Sequence, residues 1–381
     1  MTLFLITFLF LYGTLHFYVF VKLQSAFHLR FVPNIFIIIF MAIMTLAPFA
    51  VRLAERAGHE SFARFMAYAG YTWMGIIFLF FSLSVCIDIL RMVIHFSGYI
   101  LKRDLSYLTS AYRLFFIIPM IYALLASAYG YREAKNITVE KIVIKSPKIS
   151  ESVGKVTIAQ ISDIHLGLIV REERLRLITD AVKKANPDIL VSTGDLVDGQ
   201  IDRLNGLIGM LDEIKPRYGK FAITGNHEFY AGIKKSLDFT QKAGFRMLRG
   251  EGITIGGVIN IVGVDDIAGL PFNYVEIPER ILLSKFPQNL FKILLKHRPV
   301  VEGSAAGLFD LQLSGHTHKG QIFPFRFVTK LFFPLYTGYH SLPRGSKLYV
   351  NRGSGTWGPP IRFLASPEVT VIELLYSADK N

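Results

Sequence analysis

The chain opens with apolar blocks that carry no formal charge: Met1–Val21, Phe31–Val51, Ala67–Ile87 and Leu114–Tyr131. A block of about 21 residues spans about 31 Å as a helix, close to the roughly 30 Å hydrocarbon core of a bilayer. The fourth block is shorter but adequate. The pattern predicts four transmembrane helices joined by short, basic-flanked loops. The first block is predicted to stay on the protein. It lacks a basic leader, is too long for a signal h-region and ends at Val21-Lys22-Leu23 without a small-residue cleavage site. Tyr71, Trp73, Tyr129 and Tyr131 fall near block ends, where amphipathic rings favour the headgroup region. Asp88, Arg91 and His95 follow the third block at helical spacing. They read as an interfacial helix end, with a polar site between helices as the alternative. Four spans put both termini on one side. The basic residues divide six against seven between the two sides, so the positive-inside rule selects neither face.

From Ile137 the texture changes. Ile137–Ile144 alternates apolar and polar, as a half-buried strand does. Val156–Ile161, Asp188–Ser192 and Lys220–Thr224 read as strands. Between and after them Glu172–Ala185, Leu204–Ile214 and Ile233–Ala243 have helical periodicity. Ile253–Ile255, Val258–Val264, Ile293–Leu295, Leu311–Ser314, Leu348–Asn351 and Glu368–Leu375 then read as strands. Alternation early and mostly strands late predict a layered α/β domain, two packed β-sheets flanked by helices. The predicted architecture is a four-helix, all-α transmembrane region over residues 1–131, a linker with a first strand over 132–155, and the α/β domain over 156–381.

Composition agrees with this division. Of 381 residues 51% are hydrophobic and only 19% charged, against roughly a quarter charged in an ordinary soluble chain. Residues 1–131 hold 9 Lys/Arg and 4 Asp/Glu, and the remainder 33 and 25. The single cysteine, Cys86, excludes an internal disulfide framework and a cysteine-based zinc knuckle. The net charge of +13 invites a nucleic-acid reading. No separate basic stripe with interleaved aromatics supports one, so no nucleic-acid partner is expected.

Five short motifs follow candidate strands: Asp163-Ile164-His165, Gly194-Asp195-Leu196-Val197-Asp198, Gly225-Asn226-His227-Glu228, His297, and Gly315-His316-Thr317-His318. Ligands gather beyond the carboxyl ends of strands in α/β sheets, and five of the ten histidines lie in these motifs. Carboxylate, imidazole and amide donors without thiolate suit Mn²⁺, Fe or Zn²⁺. A carboxylate between two metals can bridge them, and two metals can activate a water while holding phosphoryl oxygens.

In that order, the motifs resemble the calcineurin-like metallophosphoesterase superfamily over about Val156–Leu375. The segments Ile293–Pro299, Gly315–Gln321 and Leu348–Gly353 resemble its bacterial membrane-associated branch, which includes proteins similar to UDP-2,3-diacylglucosamine hydrolases and to a secreted zinc phosphoesterase. The resemblance implies that Asp163, His165 and His318 hold one divalent ion and that Asn226, His297 and His316 hold a second, with Asp195 bridging. It places His227 beside the phosphate as general acid or hydrogen-bond donor, with Asp198 orienting it. Lys319, where many relatives have glycine, and Arg352 are candidate phosphate contacts, with ordinary surface cations as the other reading. Glu228 is expected to cap or hydrogen-bond locally.

Ile322–Tyr339 is a second oily stretch. Pro324, Pro334, Arg326 and Lys330 argue against a membrane span. It reads either as a loop dipping into the membrane interface beside the metals, or as a strand and loop that covers the sheet edge or docks on the membrane helices. The resulting expectation is a hydrolase anchored in a bilayer, in the bacterial inner membrane. It would cleave a phosphodiester or pyrophosphate bond in a lipid or nucleotide-lipid by metal-activated hydroxide. The alternatives are a phosphatase for soluble substrates with the helices as anchor, and a transporter or signalling protein regulated by the metallo-domain. Nothing in the sequence sets an oligomeric state.

Overall fold

The computed structural model describes residues 2–199, 204–272 and 277–378. The chain divides into two compact units: Met1–Arg132 with Gly358–Phe363, and Glu133–Trp357 with Leu364–Asn381.

The first unit contains α1 (Thr2–Phe27), α2 (Phe31–Arg56), α3 (Glu60–Leu101) and α4 (Tyr112–Glu133). All four are long and apolar enough to cross a membrane. Their outward faces are rich in exposed Phe, Leu and Ile, including Phe10, Phe36, Leu53 and Leu125. Only a hydrocarbon solvent makes such faces favourable. The helices meet through small residues. A side chain on Gly70 would strike the Ala47 Cβ at 2.6 Å, so α2 and α3 approach closely there. α3 runs 42 residues, well beyond its uncharged block, because no proline interrupts it. Past that block Asp88 accepts from the Tyr18 hydroxyl at 2.6 Å and pairs with Lys22 and with Arg91. The Arg91 guanidinium also donates to the Thr109 carbonyl at 2.9 Å. Asp88 and Arg91 thus sit in a paired cluster joining α1, α3 and the turn before α4, whereas His95 is exposed. Late in the chain, 358–363 returns to this unit: Arg362 N donates to Gly130 O at 2.9 Å, and Phe363 packs against Tyr122 and Tyr129.

The second unit is built on two six-stranded sheets. Its elements in chain order are β1 (Thr138–Ser146), β2 (Lys155–Ile161), α5 (Glu172–Ala185), β3 (Ile189–Ser192), α6 (Asn205–Asp212), β4 (Lys220–Ala222), α7 (Asn226–Ala231), α8 (Ile233–Lys242), β5 (Arg246–Met247), β6 (Glu251–Ile255), β7 (Ile259–Gly263), α9 (Glu279–Ser284), β8 (Phe291–Leu295), β9 (Leu311–Ser314), α10 (Arg326–Phe332), β10 (Gly338–Ser341), β11 (Lys347–Val350) and β12 (Glu368–Tyr376). One sheet has the order β1-β12-β2-β3-β4-β5 and the other β10-β11-β9-β8-β7-β6. Inward-facing Ile158, Val191 and Phe221 of the first meet Ile261, Ile293 and Leu313 of the second in one buried core. The outer face of the first sheet is covered by α5, α6 and α8 through Leu175, Ile178, Leu207, Leu211 and Phe239. Leu282 and Leu283 of α9 lie in the cluster on the outer side of the second sheet. β1, within the stretch expected as linker and first strand, is an edge strand of the first sheet, parallel to β12.

Strands β2, β3 and β4 run parallel, as do β8 and β9. Each of the five motifs therefore begins where one of these strands ends, which gathers them at one rim of the sandwich.

Candidate active site

The backbone that carries the motifs is strained. Asp163, His165, Asp195, His316 and His318 all have φ between +50° and +72°, the left-handed region. Such a conformation costs about 1–2 kcal/mol per non-glycine residue and persists where surrounding structure over-determines it, characteristically at functional sites. Glycines make the close approach possible. A side chain on Gly225 would come within 2.2 Å of Asp195 Oδ1, and one on Gly315 within 2.2 Å of Asp163 Oδ2.

Two groups of donors form. In one, His318 Nε2 lies 3.1 Å from His165 Nε2 and 3.4 Å from Asp163 Oδ1. In the other, His297 Nε2 lies 3.1 Å from His316 Nδ1 and 3.2 Å from Asp195 Oδ2. The same Asp195 oxygen is 3.8 Å from His165 Nε2, so one carboxylate faces both groups. Each set has ligand atoms within 4.8 Å of one another, a spacing that can hold a metal ion. His165 Nδ1 and Asn226 Oδ1 are buried without a hydrogen-bond partner. An unsatisfied buried polar atom costs about 1–3 kcal/mol. For Asn226, a cation facing that oxygen removes the cost, so the donor set fits bound metal.

Supporting contacts fix the ligands. The Thr193 carbonyl, 2.8 Å from His297 Nδ1, can only accept, so Nδ1 carries the proton and Nε2 faces the cluster. His316 N–H donates to both Asp163 oxygens at 2.9–3.0 Å. Glu228, buried on α7, accepts backbone N–H bonds from Gly225, Asp195, Leu196 and Val197 at 2.7–3.3 Å. It thereby ties the loop of Asp195 to the loop of Asn226, a wider role than the local cap expected from sequence.

His227 stands beside the cluster with Nδ1 2.8 Å from Asp198 Oδ1. Burial works against its charge, but Asp195 and the hydrogen bond to Asp198 outweigh it and push His227 up to about 9. His297 is pushed up to about 10 in the same way, burial being overcome by Asp195. Its partner His316 is pushed down to about 3, by burial and then by the His297 charge. The Asp163 carboxyl is held well below the usual range: burial opposes this, and the hydrogen bond and charge of His318 prevail.

The other expected contacts lie differently. Lys319 follows His318, half-buried, its pKa lowered by burial and by Arg352 and Arg326. Arg352 pairs with Glu368 of β12 and Glu140 of β1. Two carboxylates take up its charge, and it braces the sheet edge instead of presenting itself to a phosphate. Three aromatic rings edge the cluster: Tyr230 and Trp357, which sequence reasoning missed, 5.5 and 5.7 Å from the His227 ring, and Phe333 of the oily stretch, 5.1 Å from His316. Tyr230 was findable, since it lies three residues after His227 on one helix. Trp357 is located by paired hydrogen bonds between its backbone and the Gln321 amide, which no local pattern reveals.

Comparison with known proteins is consistent with this geometry. The calcineurin-like phosphoesterase family matches residues 156–320. An uncharacterized metallophosphoesterase of Aquifex aeolicus is 40% identical over 257 residues, 67% of this chain and 98% of that protein. One of Campylobacter jejuni is 34% identical, over 81% of this chain and 83% of its own length. A zebrafish (Danio rerio) protein described as a transmembrane protein with metallophosphoesterase domain is 30% identical over 68% of this chain and 62% of its own length. The chain belongs to the calcineurin-like metallophosphoesterases. It is a metal-dependent phosphoester hydrolase and, with its four apolar helices, a membrane protein.

Proposed function

We propose that the protein is a dinuclear-metal phosphoester hydrolase of the bacterial inner membrane, cleaving a phosphodiester or pyrophosphate bond in a lipid or nucleotide-lipid. The observation that carries the dinuclear reading is the position of Asp195, whose carboxylate faces His297 at 3.2 Å and His165 at 3.8 Å. Asp163, His165 and His318 would hold one ion, Asn226, His297 and His316 the other, and Asp195 both. When bound, such ions supply Lewis acidity to a phosphoryl group and activate water. The protein's own residues do the rest. Asp198 holds the His227 ring by Nδ1, which leaves Nε2 to donate a proton to the leaving oxygen. The raised pKa of His227 keeps that proton in place at neutral pH. Lys319 beside His318 adds positive charge for a substrate oxyanion.

A lipid-linked substrate is supported by the aromatic edge. Trp357 and Tyr230 are each about half exposed beside the proton donor, and Phe333 covers His316. Such rings suit an apolar leaving group better than a hydrated one. The inner-membrane location is supported by helical spans and by the bacterial relatives. The test is hydrolysis by the purified full-length protein with Mn²⁺: first of bis(p-nitrophenyl) phosphate, then of lipid-linked against water-soluble pyrophosphates in detergent. Preference for the lipid-linked compound is the expected result. Equal turnover of both would favour the reading in which the helices are only an anchor.

A further inference from the structure

The oily stretch Ile322–Tyr339 is not a plain loop. Its centre is α10, a short helix whose Phe327, Val328, Leu331 and Phe332 fall on one side in i, i+4 pairs. Leu331 and Phe332 are 81% and 75% exposed, and Phe327 is 57% exposed. A contiguous apolar patch of this kind marks a surface meant to be covered. Both ends of the helix are fixed to the ligand loop. A side chain on Gly320 would strike the Arg326 backbone at 2.5 Å, so the helix start presses on the turn after His318. Phe333, just past the helix end, stacks edgewise on His316.

Charge identifies what covers the patch. Between Asp310 and Glu368 the chain has seven Lys/Arg and no acidic residue. Arg326 lies over the Phe323 and Phe327 rings at 4.7 and 5.3 Å. Neither it nor the exposed Lys330 has a carboxylate within ion-pair distance among the described residues. Apolar side chains flanked by uncompensated cations are the composition of an interfacial helix that binds anionic lipid. The spanning helices keep a bilayer at high effective concentration, so even a short element can dock.

We propose that α10 docks in the headgroup region of an anionic bilayer, with Leu331, Phe332 and Phe327 entering the acyl boundary and Arg326 and Lys330 on lipid phosphates. This surface is independent of the substrate reading, and its test does not use turnover as the readout. In a Cys86→Ser background the full-length protein carries an NBD label at Leu331→Cys, with Lys242→Cys on α8 as control. It is placed in nanodiscs of phosphatidylcholine with or without phosphatidylglycerol. The expected result is a blue-shifted emission at 331 that doxyl-labelled lipid quenches, stronger with phosphatidylglycerol and absent at 242. Each basic residue near an anionic surface shifts partition by about fivefold. Arg326→Glu with Lys330→Glu should therefore return the label to the aqueous spectrum while an unchanged circular dichroism spectrum shows the chain still folded. Lack of quenching in both discs would overturn the proposal, as would a blue shift that doxyl-labelled lipid leaves unquenched, which shows protein over the patch. Quenching indifferent to phosphatidylglycerol and to the double charge reversal would overturn it as well.

Discussion

Two polar clusters, one in the helical unit and one in the α/β unit, differ in what surrounds their carboxylates. Around Asp88 in the helical unit, a hydroxyl and two cations meet one carboxylate, and Arg91 places a further N–H on the Thr109 carbonyl while its Nε is buried with no hydrogen-bond partner. Around Asp195, imidazoles crowd two carboxylates at 3.2–3.8 Å, five residues hold left-handed backbone, and two polar atoms are buried with no hydrogen-bond partner. The first arrangement is what a chain adopts to tolerate charge near a membrane. The second is unfavourable as it stands and becomes favourable only with cations in it. Imidazoles crowded on carboxylates over left-handed backbone, more than buried charge or an unpaired atom alone, separate a site from a brace.

Substitutions can break that contrast. Asp195→Asn removes the carboxylate shared by both donor groups. It should abolish measurable hydrolysis of bis(p-nitrophenyl) phosphate and lower the metal content per chain, measured by elemental analysis. His227→Ala should cost about 10²–10⁴-fold in kcat while leaving metal content intact. The loss should be larger for an alkyl than for a nitrophenyl leaving group, since only the former needs the proton. Glu228→Ala frees four backbone N–H groups and should weaken metal affinity about 10–100-fold, read by titration of the metal-stripped protein. Asp198→Asn sharpens the electrostatic half of the account. His227 is raised, so its proton is present at neutral pH and lost as pH climbs through the folded value of about 9. Without the Asp198 charge the alkaline limb of kcat should move to lower pH. Cations at Asp195 lower the whole limb by repelling the imidazolium, but the direction of the mutant shift stays. The smallest effect is expected at Asp88→Asn: about 1 kcal/mol of stability for a part-exposed pair, seen in detergent melting, with kcat unchanged.

Much of this was legible from the residue order. The uncharged blocks mark the spanning helices because a bilayer tolerates nothing else, and the five motifs stand directly after β-rich runs. What escaped has physical reasons. Arg352 follows a strand near the ligands and looks like a phosphate contact, but Glu368 and Glu140, which hold it, come from strands far away in sequence. β5 is two residues long and β10 four, too short for any period to show. α10 lies between Pro324 and Pro334, which mask a two-turn helix. Segment 358–363 returns to the helical unit through the Arg362–Gly130 backbone bond and through Phe363 against Tyr122 and Tyr129, partners more than 200 residues away that no local period marks. The sequence marked the chemistry through side-chain identity, whereas the braces around it depend on tertiary partners.

If Asp195 joins two metal positions, metal-stripped full-length protein titrated with Mn²⁺ and followed by electron paramagnetic resonance should take up two ions per chain with an exchange-coupled spectrum, lost in Asp195→Asn. Saturation at one ion per chain, or two ions with uncoupled spectra, would contradict it.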